Sequence, residues 1–562
     1  MSRKMLFGLG LTIVFMLGLV SCGPDEAAAP VDEESTPLVD VVPTEAAQPE
    51  ISTPAAGGEN LVSDLGFRPE QNGFSFPNYG DENGVQNLTS GEVQRMFGDQ
   101  VCARMDGDQC VLTPPGSQWM EQTNSAMSGG HCEGMASLSL LLYSGQLSTD
   151  LFGSASNAFG LQLDDEKLQR EIAYWWATQE VAPTQADVIT GTPSDILDVL
   201  KGMKPGGETY TIGIYKRDGS GGHAITPFAV EDQGGGLFDV LVYDNNYPNE
   251  TRRLKIDTNQ NTWQYEASIN PDVEPDLYEG DSETQTLDLT PTSARLPQQS
   301  CPFCSENPTA KAGNGLAQTA QRFNEIYLDG EGHLLITDDS NNRLGFADGK
   351  LVNEIPGASY NQLKMGSAST DYPEPVYRLP AALNVSVVID GSTLKNVSST
   401  DLVMIGNGFS LGVEGISLDT NQKDTVIFQP ADGLISYDTD SSESPNIVLG
   451  VEQPGKADYY FEIQGTDMQG GGTITVQLDA ANSNLLINTE KLTNEGKFSL
   501  VLTRITDQVD ESFSADEIVL KAGALVYIEY GKWEGNGQGL YLGVDTNGDG
   551  TIDDEYEVTD SQ

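Results

Sequence analysis

The chain reads as an α+β protein in which a helical half is followed by an antiparallel sheet, with a β-rich, sandwich-like C-terminal region behind it. Three observations carry this expectation. Between Cys132 and about Met203 apolar residues recur at helical spacing, from Tyr210 to Ile256 the period falls to two, and beyond about residue 275 the helical period hardly returns. Helices followed by hairpin-forming strands are the pattern of segregated α+β folds rather than of alternating βαβ units. At 562 residues, 38% of them hydrophobic, the chain is too long for one core and apolar enough to build several.

The first element is an export signal. Arg3 and Lys4 precede an apolar segment from Met5 to Val20, short for a spanning helix and right for a signal-peptide core. It ends in Leu19-Val20-Ser21-Cys22, which resembles a bacterial lipobox. The resemblance implies that Cys22 receives a lipid and anchors an exported protein to the bacterial cell envelope, with residues 1–22 as lipoprotein signal peptide. Residues 23–58, rich in Pro, Ala, Glu, Thr and Val, read as a disordered tether. Acidic residues outnumber basic ones 84 to 29, for a formal charge of −55. That charge repels nucleic acid and anionic headgroups, so nucleic-acid binding is excluded and membrane contact is expected through the lipid alone.

A domain is expected over residues 59–275. Its aromatic, turn-rich lead-in runs from Leu61 to Val101, with a capping box at Thr89-Ser90-Gly91-Glu92 before a short helix. Composition does not separate an inhibitory pro-segment from an integral part of the domain. Cys102 with Cys110, and Cys301 with Cys304, are spaced to close two disulfides in an oxidising compartment. The Cys301/Cys304 pair as a redox or zinc site is disfavoured, because no second CxxC exists and the chain has only 3 histidines. Cys132 is left unpaired. It follows Gly129-Gly130-His131 and opens a run apolar on almost every face to Tyr143, which predicts a buried helix with the thiol in its first turn, where the helix dipole favours a thiolate.

Its partners are sought among the strands. His223 stands at the start of one strand, just past Gly221-Gly222, and Asp244 and Asn245 stand at the end of the next. If the two strands form an antiparallel hairpin, the start of the first lies beside the end of the second, so a carboxylate can fix the imidazole tautomer while the other ring nitrogen faces the thiol. Asn245 and Asn246 compete with Asp244 for that role. His131, adjacent to Cys132, points to another side of the helix and is a poor base, and His333 reads as an exposed turn residue.

The order Cys132, His223, Asp244 or Asn245, with separations of 223 − 132 = 91 and 244 − 223 = 21 residues, resembles the papain-like cysteine peptidase superfamily, closest to its compact bacterial branch. The resemblance covers roughly residues 100–270 and implies a papain-like catalytic domain, with Cys132 as nucleophile, His223 as base and Asp244 as orienting residue. Those families place an oxyanion-hole Gln six residues before the Cys, where this chain has Ala126; Gln122 or Asn124 is the substitute within reach. Losing one such donor costs roughly 10²–10³ in rate.

Residues 276–378 read as a β-rich connecting region and residues 379–562 as a β-sandwich-like region, from many short strand-like runs without a clean internal repeat. At the end, Asp545, Asn547, Asp549, Thr551 (through its carbonyl) and Asp553, with Gly550 at the sixth position, match a calcium loop of the EF-hand type, although Tyr556 stands where a bidentate Glu belongs. A structural Ca²⁺ is therefore expected. The functional expectation is a lipid-anchored extracytoplasmic cysteine peptidase acting on a peptide or protein substrate. The alternatives are a surface binding or adhesion protein with a catalytically inactive papain-like domain, and a cysteine acyltransferase of transglutaminase type or an amidase.

Overall fold

In the computed structural model, residues 60–561 are described apart from 82–83, 220, 268–275, 306–321, 367–373, 454, 493–494 and 536. The expected signal peptide, Cys22 and the 23–58 tether lie outside them. Strands account for 43% of residues and helices for 19%, which overturns the expected α+β class and its papain-like helical half. Of the described α-helices, only Pro114–Ala126, Cys132–Tyr143 and Glu166–Ala177 exceed eight residues. The apolar text between and after them breaks into 3₁₀ turns at Thr149–Phe152, Ala158–Gly160, Thr178–Glu180 and Gln185–Asp187, around Gly153 and Pro183. Glycine and proline stop propagation there, so helical spacing of apolar residues does not become a helical layer.

The first sheet is antiparallel, with nine strands. Across it lie Asp276–Asp281, Thr262–Ala267, Thr251–Asp257, Leu237–Tyr243, Gly222–Gly234, Tyr210–Tyr215, Leu287–Pro291 and Ile189–Thr190, and Leu61–Asp64 pairs with Gly222–Gly234. The lead-in is thus part of the sheet, and Phe67 is buried against Phe228 and Tyr243. The sheet also continues past residue 275 to Pro291.

The rest of the chain forms two further antiparallel sheets, of nine and eleven strands. Their inner faces share one core, in which Ile326, Leu402 and Phe461 of one sheet meet Ile336, Val426 and Ile474 of the other. From Ser398 onward the chain lays down one hairpin in the nine-stranded sheet and the next in the eleven-stranded sheet, in turn: 398–418, 423–439, 446–464, 472–491, 496–520 and 525–545. Strand alternation gives the nine-stranded sheet a second buried face. Leu402 and Met404 point into the sandwich, while Val403 and Ile405 pack with Trp119, Phe97 and Phe303 of the helical segments. Disulfides Cys102–Cys110 and Cys301–Cys304 border that contact, and Cys132 is the free cysteine among the described residues.

Candidate active site

The Cys132 helix is positioned by two glycines that nothing larger could replace. Gly130 has φ +131, and a Cβ there would lie 2.2 Å from the Met365 carbonyl oxygen. Gly134 faces the Glu166–Ala177 helix so closely that a Cβ would lie 2.1 Å from the Ile172 carbonyl oxygen. Cys132 is the first helical residue, and the side chains through Leu141 are buried. The Asn78 side-chain oxygen accepts the His131 N–H at 2.8 Å, just before the first turn.

The strand Gly222–Gly234 pairs on one side with Tyr210–Tyr215, where His223 faces Ile214, and on the other with Leu237–Tyr243, where Thr226 faces Tyr243. The hairpin thereby brings Asp244 to His223: the imidazole Nε2–H donates to Asp244 Oδ1 at 2.8 Å. Asp244 Oδ1 also accepts the Asn246 N–H at 2.9 Å, and Oδ2 accepts the Tyr265 hydroxyl at 2.6 Å. On the other side the Ala224 N–H donates to Cys132 Sγ at 3.3 Å. Cys132, His223, Asp244 and Asn245 are each no more than 1% exposed. Asn245 turns away from the imidazole, and its Nδ2 donates to the carbonyls of Cys132 at 2.9 Å and Ala224 at 3.3 Å.

The electrostatics follow from burial and neighbours. Burial pushes the Cys132 thiol up, against the opposing influence of His223. Burial also works against the His223 imidazolium, but Asp244 and Cys132 outweigh it and raise its pKa to about 10. Burial would raise the Asp244 carboxyl, yet His223, Tyr265 and the Asn246 N–H hold it below the ordinary range. Beneath the thiol, fully buried Glu133 is paired with Arg295, accepts the Thr211 hydroxyl at 3.1 Å and has Lys364 Nζ at 3.6 Å.

Gln122 lies on a cleft of about 440 Å³ whose lining, shared with Ser125, Gly129, His333 and Met365, does not include Cys132 or His223. Asn124 is also taken, since its side chain bonds both the N–H and the carbonyl of Leu88. His131 is buried between Tyr79 and Asn87, and His333 pairs with Glu374 at 3.2 Å. Sequence reasoning missed Tyr265, although the alternation Trp263, Tyr265, Ala267 puts it on the buried face, where a hydroxyl needs a partner. It also missed Asn78 and the segment Leu363–Gly366, for which no periodic signal exists.

The C-terminal loop joins the last two strands of the eleven-stranded sheet, Leu540–Asp545 and Asp554–Val558. Asp545 accepts the N–H groups of Asn547, Gly548 and Gly550 at 3.1, 2.7 and 2.8 Å, and Asp553 accepts the Thr546 hydroxyl at 2.6 Å. No group of three or more His, Cys, Asp or Glu converges on a metal position among the described residues, so the expectation of calcium rests on the loop's spacing. No protein-family model, no curated protein and no solved structure matches the chain.

Proposed function

We propose that the chain is an exported, lipid-anchored cysteine peptidase of the bacterial cell envelope, with Cys132 as nucleophile, His223 as base and Asp244 as the residue that orients and charges the imidazole. One observation carries the reading. The free thiol sits at a helix start beside an imidazole whose far nitrogen is held at 2.8 Å by a buried carboxylate. Export and the anchor rest on the signal-like start and on Cys22.

The Cys132 proton passes to His223 Nδ1, the sulfur attacks the carbonyl carbon of the scissile peptide, and the C=O π pair moves to oxygen. Collapse breaks the C–N bond, Nδ1 gives its proton to the leaving amine, and a thioester remains on Cys132. Water then adds to the thioester with its proton taken by Nδ1. The second collapse releases a carboxylic acid and returns the proton to sulfur. Asp244 keeps Nε2 protonated and leaves Nδ1 as the side that works.

A second reading is favoured by the complete burial of Cys132 and His223. On that reading the site is inactive and the chain is a surface binding protein. Iodoacetamide alkylation of Cys132, followed by mass spectrometry, separates the two. Burial slows alkylation equally at pH 6 and pH 9, so the ratio of the two rates reports the thiolate fraction. An ordinary thiol with a pKa of about 8.5 loses most of its rate between them. A pH dependence clearly shallower in the wild type than in His223→Ala supports the catalytic pair, because His223 opposes the rise of the thiol. The same steep ratio in both proteins leaves the binding reading.

A further inference from the structure

The triad is covered by a piece of chain from beyond the first sheet. Met365 and Gly366 donate their N–H groups to the Gly222 carbonyl at 3.1 and 3.0 Å, directly before His223. Their own carbonyls both accept from Asn78 Nδ2, at 3.0 Å for Met365 and 2.9 Å for Gly366. Gly366 lies so close to the imidazole that a Cβ there would stand 2.2 Å from His223 Nδ1, the nitrogen that has no hydrogen-bond partner among the described residues and that the proposed reaction uses. A Cβ on Gly130, two residues before the nucleophile, would stand 2.2 Å from the Met365 carbonyl oxygen and 2.8 Å from Asn78 Nδ2. A peptide carbonyl is therefore already seated between the Cys132 turn and a side-chain amide donor, and the atoms that seat it leave no room for a substrate.

We propose that Met365–Gly366 occupies the acyl position of the site as a built-in blocker, and that Asn78 Nδ2, which now holds its carbonyls, donates to the substrate carbonyl oxygen when the blocker leaves. The inference rests on the catalytic reading of Cys132 and His223 for its second half only. Three features favour Asn78 as the donor. Its Nδ2 already serves carbonyl oxygens at the place where a substrate must lie against His223. Its side-chain oxygen is fixed by the His131 N–H, which sets the orientation of the amide. Its own N–H donates to the Asn245 carbonyl at 2.8 Å, which ties it to the strand end that carries Asp244. Such a donor is preorganised for charge that develops on the carbonyl oxygen, where one hydrogen bond is worth roughly 10²–10³ in rate. The cleft lined by Gln122 reaches Leu363 and Met365, at the edge of the blocking segment.

Two measurements on the full chain test this. Gly366→Val places a side chain against His223 Nδ1 at a residue with φ +58, so the tip cannot stay in place. Asn78→Ala removes the hold on both carbonyls without adding bulk. Each variant, once its near-UV circular dichroism matches the wild type, is expected to expose Cys132 and raise its alkylation rate by iodoacetamide at pH 8 at least tenfold. Rates within twofold of the wild type in both folded variants would overturn the blocker, whatever the triad does. Fast alkylation of Gly366→Val with no dependence on His223 would leave the blocker standing and remove the catalytic reading. The donor is tested in the opened Gly366→Val background with p-nitrophenyl acetate. Adding Asn78→Ala is expected to lower kcat roughly 10²–10³-fold with KM moved less than threefold. A fall in kcat below fivefold would make Asn78 an anchor for the tip and nothing more.

Discussion

Tyr265→Phe removes one oxygen atom and tests whether Asp244 acts on the thiol through His223. The Tyr265 hydroxyl lies 2.6 Å from Asp244 Oδ2, both residues are no more than 1% exposed, and among the described residues Tyr265 is the donor to that oxygen. A hydrogen bond to a charged group is worth about 1.5–3 kcal/mol, so losing it moves the Asp244 carboxyl up, towards the ordinary range. Its folded pKa is lowered, so its support is present above the unfolded value and is lost as pH falls through the folded one. The variant loses that support earlier on acidification. In the opened Gly366→Val background, the acid limb of Cys132 alkylation is expected to move to higher pH while the rate at pH 8 stays within about threefold. Superimposable acid limbs with and without the hydroxyl would refute the chain of influence from Tyr265 through Asp244 and His223 to the thiol.

Three further outcomes follow from buried groups and from the terminal loop. Burial and the charge of Glu325 push the Glu180 carboxyl up to about 8, so its stabilisation is full below the unfolded value of 4.5 and is lost as pH rises towards 8. Glu180→Gln should therefore melt higher than the wild type at pH 8 by a few kcal/mol of stability, and the gap should close near pH 4.5; a constant gap across that range would argue against a buried protonated carboxyl. Burial holds His131 down to about 4, so it contributes stability present above about 6.5 that is lost as pH falls through 4, on the order of 3 kcal/mol in all. His131→Gln should flatten the fall of the urea midpoint between pH 6.5 and 4, and an unchanged slope would assign that fall to other groups. Calcium added to chelator-treated protein should raise the melting temperature, and Asp545→Asn should abolish the rise; no response in the wild type removes the ion from the C-terminal loop.

The meeting of Cys132, His223 and Asp244 was legible because each part is local. A Gly-Gly turn before an apolar run sets the helix start, and a hairpin necessarily returns its second strand beside the beginning of its first. The two disulfides were legible from spacings of eight and three residues. The helical half was misread because apolar periodicity reports which face is buried. It does not report whether a run outlasts its glycines and prolines, and 166–200 splits into two helices separated by 3₁₀ turns and a two-residue strand. The oxyanion donor was not legible, because nearness in sequence to Cys132 was the guide and Asn124, chosen by it, is bonded to Leu88 instead. The alternating hairpins of the sandwich left no sequence repeat, since each needs only buried and exposed positions in turn, as in Gly472–Asp479, and any apolar residue satisfies that. Asn78 meets Met365 across 287 residues of sequence, and neither segment has a period from which such a contact could be read.

The blocking segment is held unevenly, and this decides how far it can open. Lys364 is 4% exposed, its Nζ lies 3.2 Å from the Thr290 hydroxyl and 3.6 Å from Glu133, and its N–H donates to Gln179 Oε1 at 2.8 Å. Asp288 lies 3.9 Å from the same ammonium, so drawing it out would deprive both Asp288 and Glu133 of a buried partner, and breaking such a pair costs about 3–5 kcal/mol. Met365 and Gly366 are held instead by neutral hydrogen bonds to Gly222 and Asn78, each worth about 0.5–1.5 kcal/mol net and each replaceable by the backbone of an incoming peptide, and by the Met365 side chain, which is 2% exposed in the core with Met127 and Leu363 and leaves no charge unpaired when it is withdrawn. The boundary between fixed and releasable chain therefore falls between Lys364 and Met365. Opening at that point frees His223 Nδ1 and the Asn78 amide together, since the same two residues cover both. It also leaves the Glu133–Arg295 pair and Lys364 in place beneath the Cys132 helix.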